Sequence, residues 1–323
     1  MRGPLAGILL ALLAFALFST HDVVVKSLGG AYAPFQIIFF SVLFSFPIST
    51  LVLMRDATAG NLRPVHPRWV IARTMAAITA SISAFYAFSV LPLADAYAIL
   101  FASPLLITVL AIPILGEKVR LRRGIAVIVG LIGIVIVLQP GKEPLTLGHA
   151  AALVAAVCGA FSSVVMRRIG SEERAVVLLL YPLMANFLIM GAILPFVYRP
   201  MPIMHIGGLA LIALLAFTAM SLAIAAYRRA EAALIAPMQY SQILWAILFG
   251  ALFFDETPTR TTLIGAGVVI ASGLYIVFRE SRGGASANTP VLRSRNRIGT
   301  PAALRIGPIL RRLHLNDLRQ RGH

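Results

Sequence analysis

Ten stretches of the chain, each at least 18 residues long, contain no Asp, Glu, Lys or Arg. They cover residues 3–21, 27–54, 74–94, 96–116, 124–141, 144–166, 175–198, 200–227, 232–254 and 261–278. A bilayer core about 30 Å thick is crossed by roughly 20 apolar helical residues. Leu, Ile, Val, Ala and Phe dominate these stretches without the alternation of a membrane β-barrel, so the sequence predicts an all-α membrane protein with ten transmembrane helices. The composition agrees, since 59% of residues are apolar, 12% are charged and the mean hydropathy is +0.89.

Basic residues are distributed unevenly among the segments that connect the predicted spans. Lys and Arg close to the ends of spans stay in the cytoplasm. Outside the C-terminal tail, one side of the predicted bundle holds only Lys26, Lys142, Arg199 and Arg260. The other side holds Arg2, Arg55, Arg63, Arg68, Arg73, Lys118, Arg120, Arg122, Arg123, Arg167, Arg168, Arg174, Arg228 and Arg229. We therefore expect both ends of the chain in the cytoplasm and the bundle in the cell (inner) membrane. The net charge of +16 follows mostly from this bias and from the tail, so no nucleic-acid partner is expected.

The chain contains two similar halves that are displaced by about 140 residues. ILGEK around Glu117 matches FFDET around Glu256, LIGIVIVL around Gly133 matches ASGLYIVF around Gly273, and VVVKSLGG around Lys26 matches VVMRRIGS around Arg167. Because each half has five spans, an odd number, the second half must enter the membrane upside down. The sequence thus predicts two inverted five-helix repeats, residues 4–140 and 147–279, an arrangement that places the substrate site of many secondary transporters near the midplane. Span one has a partner in span six, so we expect it to be retained rather than cleaved as a signal peptide.

Two segments of the sequence carry a family resemblance. FYAFSVLPLADAYAILFASPLLITVLAIPILGEK and PMQYSQILWAILFGALFFDETP, in a duplicated ten-span layout, resemble EamA-type members of the drug/metabolite transporter superfamily over residues 4 to about 280. The most specific pieces are LPLADA, SPLL followed by LGE, and YSQILWA followed by DE and Pro258. The resemblance implies a secondary transporter that moves a small organic metabolite, such as riboflavin, S-adenosylmethionine or an amino acid, by alternating access. Two departures bear on the substrate: Ser41 follows Phe39-Phe40 where many relatives have Arg, and FDE replaces the usual LGE.

The ninth span carries polar residues on one helical face. At 100° per residue, Met238, Ser241, Gln242, Trp245 and Phe249 fall within an arc of about 100°, and Tyr240 faces nearly the opposite way. Since a buried amide needs hydrogen-bond partners, we expect this face to look into the bundle. Pro237 is expected to bend or end the helix. Gln242 and Trp245 either line a substrate site or only pack between helices.

Polar residues of two other spans extend the set of candidates for substrate binding. In span four, Tyr97, Phe101, Pro104 and Thr108 share one stripe and Ser103 lies on another. In span three, Thr79, Ser83 and Tyr86 align on one face. Small hydroxyl residues also serve as packing contacts between helices, which is the alternative interpretation. The candidate substrate-binding residues are Tyr86, Tyr97, Ser103, Tyr240, Gln242 and Trp245.

Charged residues near the ends of spans form the second set of candidates. Asp22 and Lys26 have the i, i+4 spacing that allows an ion pair, which predicts an interfacial contact at the outer end of span one. Alternatively, Asp22 or His21 binds a proton or a cationic group and couples transport to a gradient. Glu117 and Glu256 lie at span ends, where we expect them to act as hinges or interfacial ion pairs, with gating as the alternative. The candidate coupling and gating residues are therefore His21, Asp22, Lys26, Glu117 and Glu256.

Sequence motifs for other chemistry are absent. The chain has no Cys/His metal spacing, no P-loop and no GxSxG, so neither catalysis, a cofactor nor a metal site is predicted. Gly130, Gly133, Gly265 and Gly267 lie inside apolar runs and predict close helix packing rather than phosphate-binding loops. The alternative to a transporter is a membrane protein that does not transport, namely a membrane-embedded enzyme or an assembly partner.

Residues 280–323 form a basic tail of different composition. From Ser281 to His323 the tail holds nine Arg and one Asp, and its beginning, SRGGASANTP, is predicted to be disordered in the cytoplasm. The later segment LRIGPILRRLHLNDLRQR is able to form a basic helix with Ile306, Ile309, Leu310 and Leu313 on one side. Such a helix would lie on anionic lipid. The alternative is a flexible tail whose positive charge only reinforces the predicted topology.

Overall fold

The computed structural model describes residues 4–53, 62–117, 121–140, 145–170, 172–230 and 232–282. Uncharged apolar sequence satisfies its backbone hydrogen bonds within a helix, which is the condition for crossing lipid. The described helices are α1 (Pro4–Gly29), α2 (Pro34–Leu53), α3 (Pro67–Val90), α4 (Leu93–Leu100), α5 (Ser103–Leu115), α6 (Leu121–Leu138), α7 (Leu147–Ile169), α8 (Ala175–Val197), α9 (Ile203–Arg229), α10 (Ala232–Ile235), α11 (Ser241–Phe254) and α12 (Arg260–Arg282). A 3₁₀ turn, Ala236–Tyr240, joins α10 to α11.

The helices have the lengths that membrane crossing requires. Within the described part of the chain, nine segments are long and apolar enough to cross, with α4 and α5 together counted as one of them. Helix α2 contributes a shorter apolar stretch, Pro34–Pro47. The fold is therefore an all-α membrane protein, as predicted. The predicted tail lies outside the described residues, except that its first three residues, 280–282, are the end of α12.

The first helix is longer than the uncharged window that predicted it. That window ended at residue 21, whereas α1 continues to Gly29. The charged residues beyond the window remain helical because the bundle accommodates them: His21 and Asp22 are 1% and 2% exposed and bond to each other. The outer end of span one was expected near His21, Asp22 and Lys26, and α1 includes all three, since buried hydrogen bonds offset the cost of the charge.

The two halves interlock, so that most long helix contacts join one half to the other. Helix α1 packs along α9, and α3 packs along α7. Under the repeat, span one corresponds to span six and span three to span eight, so these two contacts are equivalent. Three further contacts between halves, α2 with α8, α4 with α11 and α6 with α12, each join a span to its own counterpart, while α5 also packs on α7 and α2 on α9. A path between the halves would therefore be lined by both of them.

Equivalent positions of the two halves lie at opposite ends of the bundle. Lys26 donates to the backbone carbonyl of Leu91, between α3 and α4. Its counterpart Arg167 bonds to Glu117, which follows the end of α5. Since α4 and α5 form a single span, the two cations lie at the two ends of that span. This placement confirms that the repeat is inverted.

Glycines bring α6 and α12 into backbone contact. A Cβ added to Gly133 would lie 2.9 Å from the carbonyl oxygen of Gly265, and Gly130 faces the side chains of Leu105 and Ser272 just as closely. Close packing is therefore confirmed at Gly130, Gly133 and Gly265. The prediction was wrong for Gly267, where nothing lies within 4 Å of an added Cβ, because this residue is on the exposed side of α12.

Candidate functional site

Spans four and nine are both interrupted near the centre of the bundle. In span four, α4 ends at Leu100 and α5 begins at Ser103, whose hydroxyl donates to the carbonyl of Leu100 at 2.7 Å. In span nine, the 3₁₀ turn contains Pro237, which confirms the predicted bend. The stripe predicted along span four assumed one continuous helix, and that assumption was wrong because Pro104 starts a new helix in its middle. Interrupted spans at the interface of inverted repeats are where many transporters bind substrate.

The two interruptions contact each other through a pair of aromatic rings. Phe101 and Tyr240 are 139 residues apart and so occupy equivalent positions, and their rings pack edge to face with centroids 5.2 Å apart. Tyr240 is buried, and its hydroxyl lies against Gly273 of α12, where any Cβ would overlap it. The structure thus places the side chain of Tyr240 between the second interruption and α12, with no hydrogen-bond partner for its hydroxyl among the described residues.

Asp22 lies in a buried polar network contributed by three spans. One of its carboxylate oxygens is 2.8 Å from Nδ1 of His21, and the other accepts a hydrogen bond from the hydroxyl of Tyr97. The same hydroxyl accepts from the amide of Gln242 at 3.3 Å and lies 3.4 Å from Oγ of Ser19. Each of the five residues is at most 3% exposed. Residues predicted separately, two for substrate binding and two for coupling, therefore form one cluster.

This network, here called the Asp22 network, connects the two interruptions and the two halves. Tyr97 is in the last turn of α4, and Gln242 is in the first turn of α11. A charged side chain inside a membrane costs roughly 2.5–3.5 kcal/mol on insertion scales, so the donors around Asp22 compensate a substantial penalty. In the second half, Ser162 and Ser163 stand at the positions equivalent to His21 and Asp22, and Ser163 donates to the carbonyl of Gly159 at 2.9 Å. The halves thus differ in charge at this point of the inverted pair.

Aromatic rings surround one side of the Asp22 network. His21 packs edge to face on Phe85, with ring centroids 6.0 Å apart, and its Nε2 has no hydrogen-bond partner among the described residues. Tyr97 contacts Phe88 and Phe101 at centroid distances of 5.4 and 5.7 Å. An imidazole beside a carboxylate is chemically suited to hold or pass a proton. Aromatic faces also attract organic cations.

Lys26 and Glu256 form an ion pair between the halves. Nζ of Lys26 is 2.7 Å from Oε1 of Glu256, with side-chain exposures of 10% and 20%. Oε2 of Glu256 accepts the N–H of Leu93, the first residue of α4, at 2.9 Å. Lys26 also lies over the ring of Phe254, 5.2 Å from its centroid. The sequence spacing offered Asp22 as the ionic partner of Lys26; the structure gives it Glu256, because α1 and α11 end side by side.

Glu117 and Arg167 form the equivalent ion pair at the other end of the bundle. The guanidinium of Arg167 bonds to Oε1 of Glu117, with side-chain exposures of 15% and 5%. The neighbouring Arg168 donates to the carbonyl of Ile114 and lies over the ring of Trp69, 4.6 Å from its centroid. Sequence reasoning expected an interfacial ion pair at Glu117 and used Arg167 for the topology and the repeat, but it did not join the two residues. The repeat alignment of Lys26 with Arg167 and of Glu256 with Glu117 was the signal that could have identified the pair.

One helix-ending motif positions both glutamates. Gly116 and Asp255, at equivalent positions, adopt left-handed backbone conformations with φ of 69° and 53°. The N–H of the glutamate that follows bonds to the carbonyl six residues earlier, at 3.3 Å for Glu117 and 3.0 Å for Glu256. This is the Schellman geometry of helix C-termini. Asp tolerates the left-handed region better than most side chains, so FDE builds the same cap as LGE.

Two predicted substrate-binding residues, Trp245 and Tyr86, lie outside the Asp22 network. Trp245 is half-buried and contacts Phe249, with centroids 5.6 Å apart, while Leu244 and Leu248 of the same helix are exposed. The polar face of span nine therefore looks into the bundle, as predicted. Tyr86 is half-buried in α3, and its carbonyl accepts the hydroxyl of Ser89 at 2.7 Å. Sequence reasoning did not identify Ser19, because a serine in an apolar helix is not distinctive by itself. Only the structure shows its hydroxyl next to that of Tyr97.

These features together define a class of protein. Two inverted five-helix units, with an interrupted span in each and a buried polar network between the interruptions, form the architecture of a secondary transporter. The model of the EamA-like transporter family matches the chain twice, over residues 5–139 and 146–278. The chain therefore belongs to the EamA-like transporter family and is a multi-pass membrane protein.

Named relatives cover nearly the whole length of the chain. An S-adenosylmethionine uptake transporter of Rickettsia bellii is 25% identical over 271 residues, which are 84% of this chain and 93% of the relative. The pseudopaline exporter CntI of Pseudomonas aeruginosa is 25% identical over 286 residues, covering 86% of this chain and 98% of the relative. A solved crystal structure superposes with a TM-score of 0.59 at 18% identity, covering 86% of this chain and 99% of the other, and supports the fold. All of these named relatives are transporters, which points away from an enzyme.

Proposed function

We propose that this chain is an inner-membrane secondary transporter that carries a small organic metabolite by alternating access. It performs no catalysis and needs no cofactor. The family and the relatives support this function over that of a membrane-embedded enzyme or an assembly partner. Both termini face the cytoplasm, in keeping with the excess of basic residues on one side of the bundle.

The proposed working parts are two units and a tail. Residues 4–140 and 147–279 are the two inverted units, close to the two ranges that the family model matches. Residues 280–323 are a cytoplasmic tail whose basic residues attract anionic lipid. Reporter fusions after Glu117 and after Glu256 test this topology: the first is expected in the cytoplasm and the second outside, and finding both in one compartment would contradict it.

The observation that carries the proposed function is the Asp22 network. It places a buried carboxylate next to an imidazole, at the contact between two interrupted spans from different halves. A proton or a cationic group bound there would interact with both halves at once, which is what coupling requires. His21 and Asp22 are the proposed coupling residues. The proposed substrate-binding residues are Tyr97, Gln242, Tyr86, Ser103, Tyr240 and Trp245.

The relatives suggest the first substrate to test. One is named for S-adenosylmethionine uptake and another for pseudopaline export, so transport should be measured in both directions. S-adenosylmethionine carries a sulfonium cation, a group that a carboxylate flanked by aromatic rings attracts. We propose a metabolite with a cationic group as the substrate class.

The test is uptake of labelled S-adenosylmethionine into proteoliposomes that contain the full chain, with and without an imposed pH gradient. Asp22→Asn removes the charge while preserving the shape of the side chain, so gradient-dependent uptake should fall to the level of empty liposomes. Asp95→Asn is the matched control, because Asp95 is a half-buried carboxylate of α4 that accepts the hydroxyl of Thr262 at 2.6 Å. Gradient-driven uptake by Asp22→Asn at the wild-type rate would refute Asp22 as the coupling site.

A further inference from the structure

Two ion pairs at opposite ends of the bundle are copies of one contact. Lys26 corresponds to Arg167 with an offset of 141 residues, and Glu256 corresponds to Glu117 with an offset of 139 residues. Each pair takes its cation from one half and its carboxylate from the other. Duplication of a sequence repeats the fold of each half. A contact between the halves is repeated only if each half meets the other through the same surface. The inverted symmetry thus extends to individual charged atoms.

The two pairs are separated by the length of one membrane span. Glu256 bonds to the N–H of Leu93 at the start of α4, and Glu117 follows Leu115 at the end of α5. At 1.5 Å per residue, the 23 residues of this span place the two pairs roughly 35 Å apart, at opposite ends of the bundle. The Asp22 network lies between them, since Tyr97 is on the same span.

Each ion pair also ties together the ends of several spans. Lys26 bonds both to Glu256 at the end of α11 and to the carbonyl of Leu91 between α3 and α4. At the other end, Arg167 bonds to Glu117 after α5, and Arg168 bonds to the carbonyl of Ile114. Separating the first pair would therefore release the end of α1 from the end of α11, and separating the second would release the end of α7 from the end of α5.

We infer that the pairs Lys26–Glu256 and Arg167–Glu117 are the two gates of the transport cycle, which part in turn. The inference deepens the proposed transport function and rests on it. In the structure both pairs are formed, as an occluded state requires. When one end opens, its two charges regain water, so the lost attraction is largely offset and the open and closed forms remain close in free energy.

Neutralising one member of a pair changes the free energies of the closed and open forms of that gate by different amounts. The closed form then contains a mostly buried charge without its ionic partner, whereas the open form exposes that charge to water. The closed form alone is destabilised, so the population shifts toward opening at that end. Glu256→Gln should therefore open the Lys26 end, and Glu117→Gln should open the Arg167 end.

Accessibility of buried cysteines measures this shift without any substrate. Cys158 is the chain's single cysteine, and its replacement by Ala allows one reporter cysteine at a time. Val25 and Met166 are equivalent positions, each one residue before a gate cation, and are 0% and 3% exposed. Val25→Cys and Met166→Cys are compared in full-length protein in nanodiscs, where a soluble maleimide reaches both faces.

The expected result is a crossed pattern. Glu256→Gln raises the labelling rate about tenfold or more at Val25→Cys and does not raise it at Met166→Cys, and Glu117→Gln does the reverse. The combined exchange Lys26→Glu with Glu256→Lys restores the opposite charges and should return Val25→Cys to its slow rate. Glu172→Gln, which removes an exposed carboxylate paired with His66, is the control and should change neither rate.

Three outcomes would overturn the inference: faster labelling at both reporters in either variant, unchanged labelling in both variants, or no recovery on charge exchange. Monodisperse gel filtration before labelling verifies the fold. If Glu117→Gln does not pass, Glu117→Asp keeps the charge, shortens the reach and should shift labelling at Met166→Cys in the same direction by a smaller factor. Because labelling needs neither substrate nor gradient, its result is independent of the uptake test on Asp22.

Discussion

The backbone contact between α6 and α12 gives a stability prediction whose size follows from the structure. A Cβ added to Gly265 would lie 2.6 Å from the carbonyl oxygen of Gly133 and 3.0 Å from the backbone nitrogen of Val137. Ordinary contact begins at 3.4 Å, so Gly265→Ala requires the helices to part by about 0.8 Å, the difference between 3.4 and 2.6 Å. Backbone atoms cannot rotate away as a side chain does, and overpacking of this kind costs about 1–3 kcal/mol.

Gly267 provides a matched control on the same helix. An added Cβ there meets nothing within 4 Å, so Gly267→Ala should have no packing cost. It should instead gain up to about 1 kcal/mol, because Ala favours a helix over Gly. Gly265→Ala gains the same helix propensity, so the free energies of unfolding of the two variants should differ by the packing cost, about 1–3 kcal/mol.

The assay is the apparent melting temperature of the full chain, followed by fluorescence-detected gel filtration after heating. Gly265→Ala should melt several degrees below the wild type, and Gly267→Ala at or above it. Neither residue touches the Asp22 network or the gate pairs, so the comparison reports packing rather than transport. Equal melting temperatures for the two variants, or a lower one for Gly267→Ala, would refute the close approach of α6 and α12.

Two further predictions concern the centre of the bundle. Tyr97→Phe keeps the ring but removes the hydroxyl that bonds to Asp22. The free energy of unfolding should therefore fall by about 1.5–3 kcal/mol, and gradient-driven uptake should fall with it. An unchanged melting temperature together with unchanged uptake would contradict the Asp22 network. Gly273→Ala should be destabilising because its Cβ overlaps the Tyr240 hydroxyl, and adding Tyr240→Phe should recover part of the loss in melting temperature, a result that a purely local effect of Gly273→Ala would not give.

Much of the fold could be predicted because membrane helices are recognisable without knowledge of their neighbours. An uncharged apolar run satisfies its own backbone hydrogen bonds wherever it lies, so sequence alone predicted the spans. The bend at Pro237 and the inward face of Gln242 followed from equally local properties, a missing N–H and an amide that needs a partner. The correspondence of Lys26 with Arg167 and of Glu117 with Glu256 was also visible in the amino-acid sequence.

The errors arose where a neighbouring helix changed the local rule. Asp22 was expected in an interfacial contact at the outer end of span one, yet it is buried in the bundle and Tyr97 from span four offsets the cost of its charge. Lys26 has Asp22 four residues before it in the sequence, but its ionic partner is Glu256, because the end of α11 lies next to it. Span four was treated as one helix, and its interruption was missed although Ser103-Pro104 is a helix-starting sequence.

The sequence by itself determined the class of fold, the duplication and the types of residue available for binding and gating. Only the tertiary structure decided which of them meet: Asp22 with Tyr97 and Gln242, and each gate cation with a carboxylate from the opposite half. The physical reason is the distance along the chain over which each interaction acts. Helix formation in lipid depends on residues within a few turns, whereas the partner of a buried charge is selected by the packing of segments that are at least 50 residues apart in the chain.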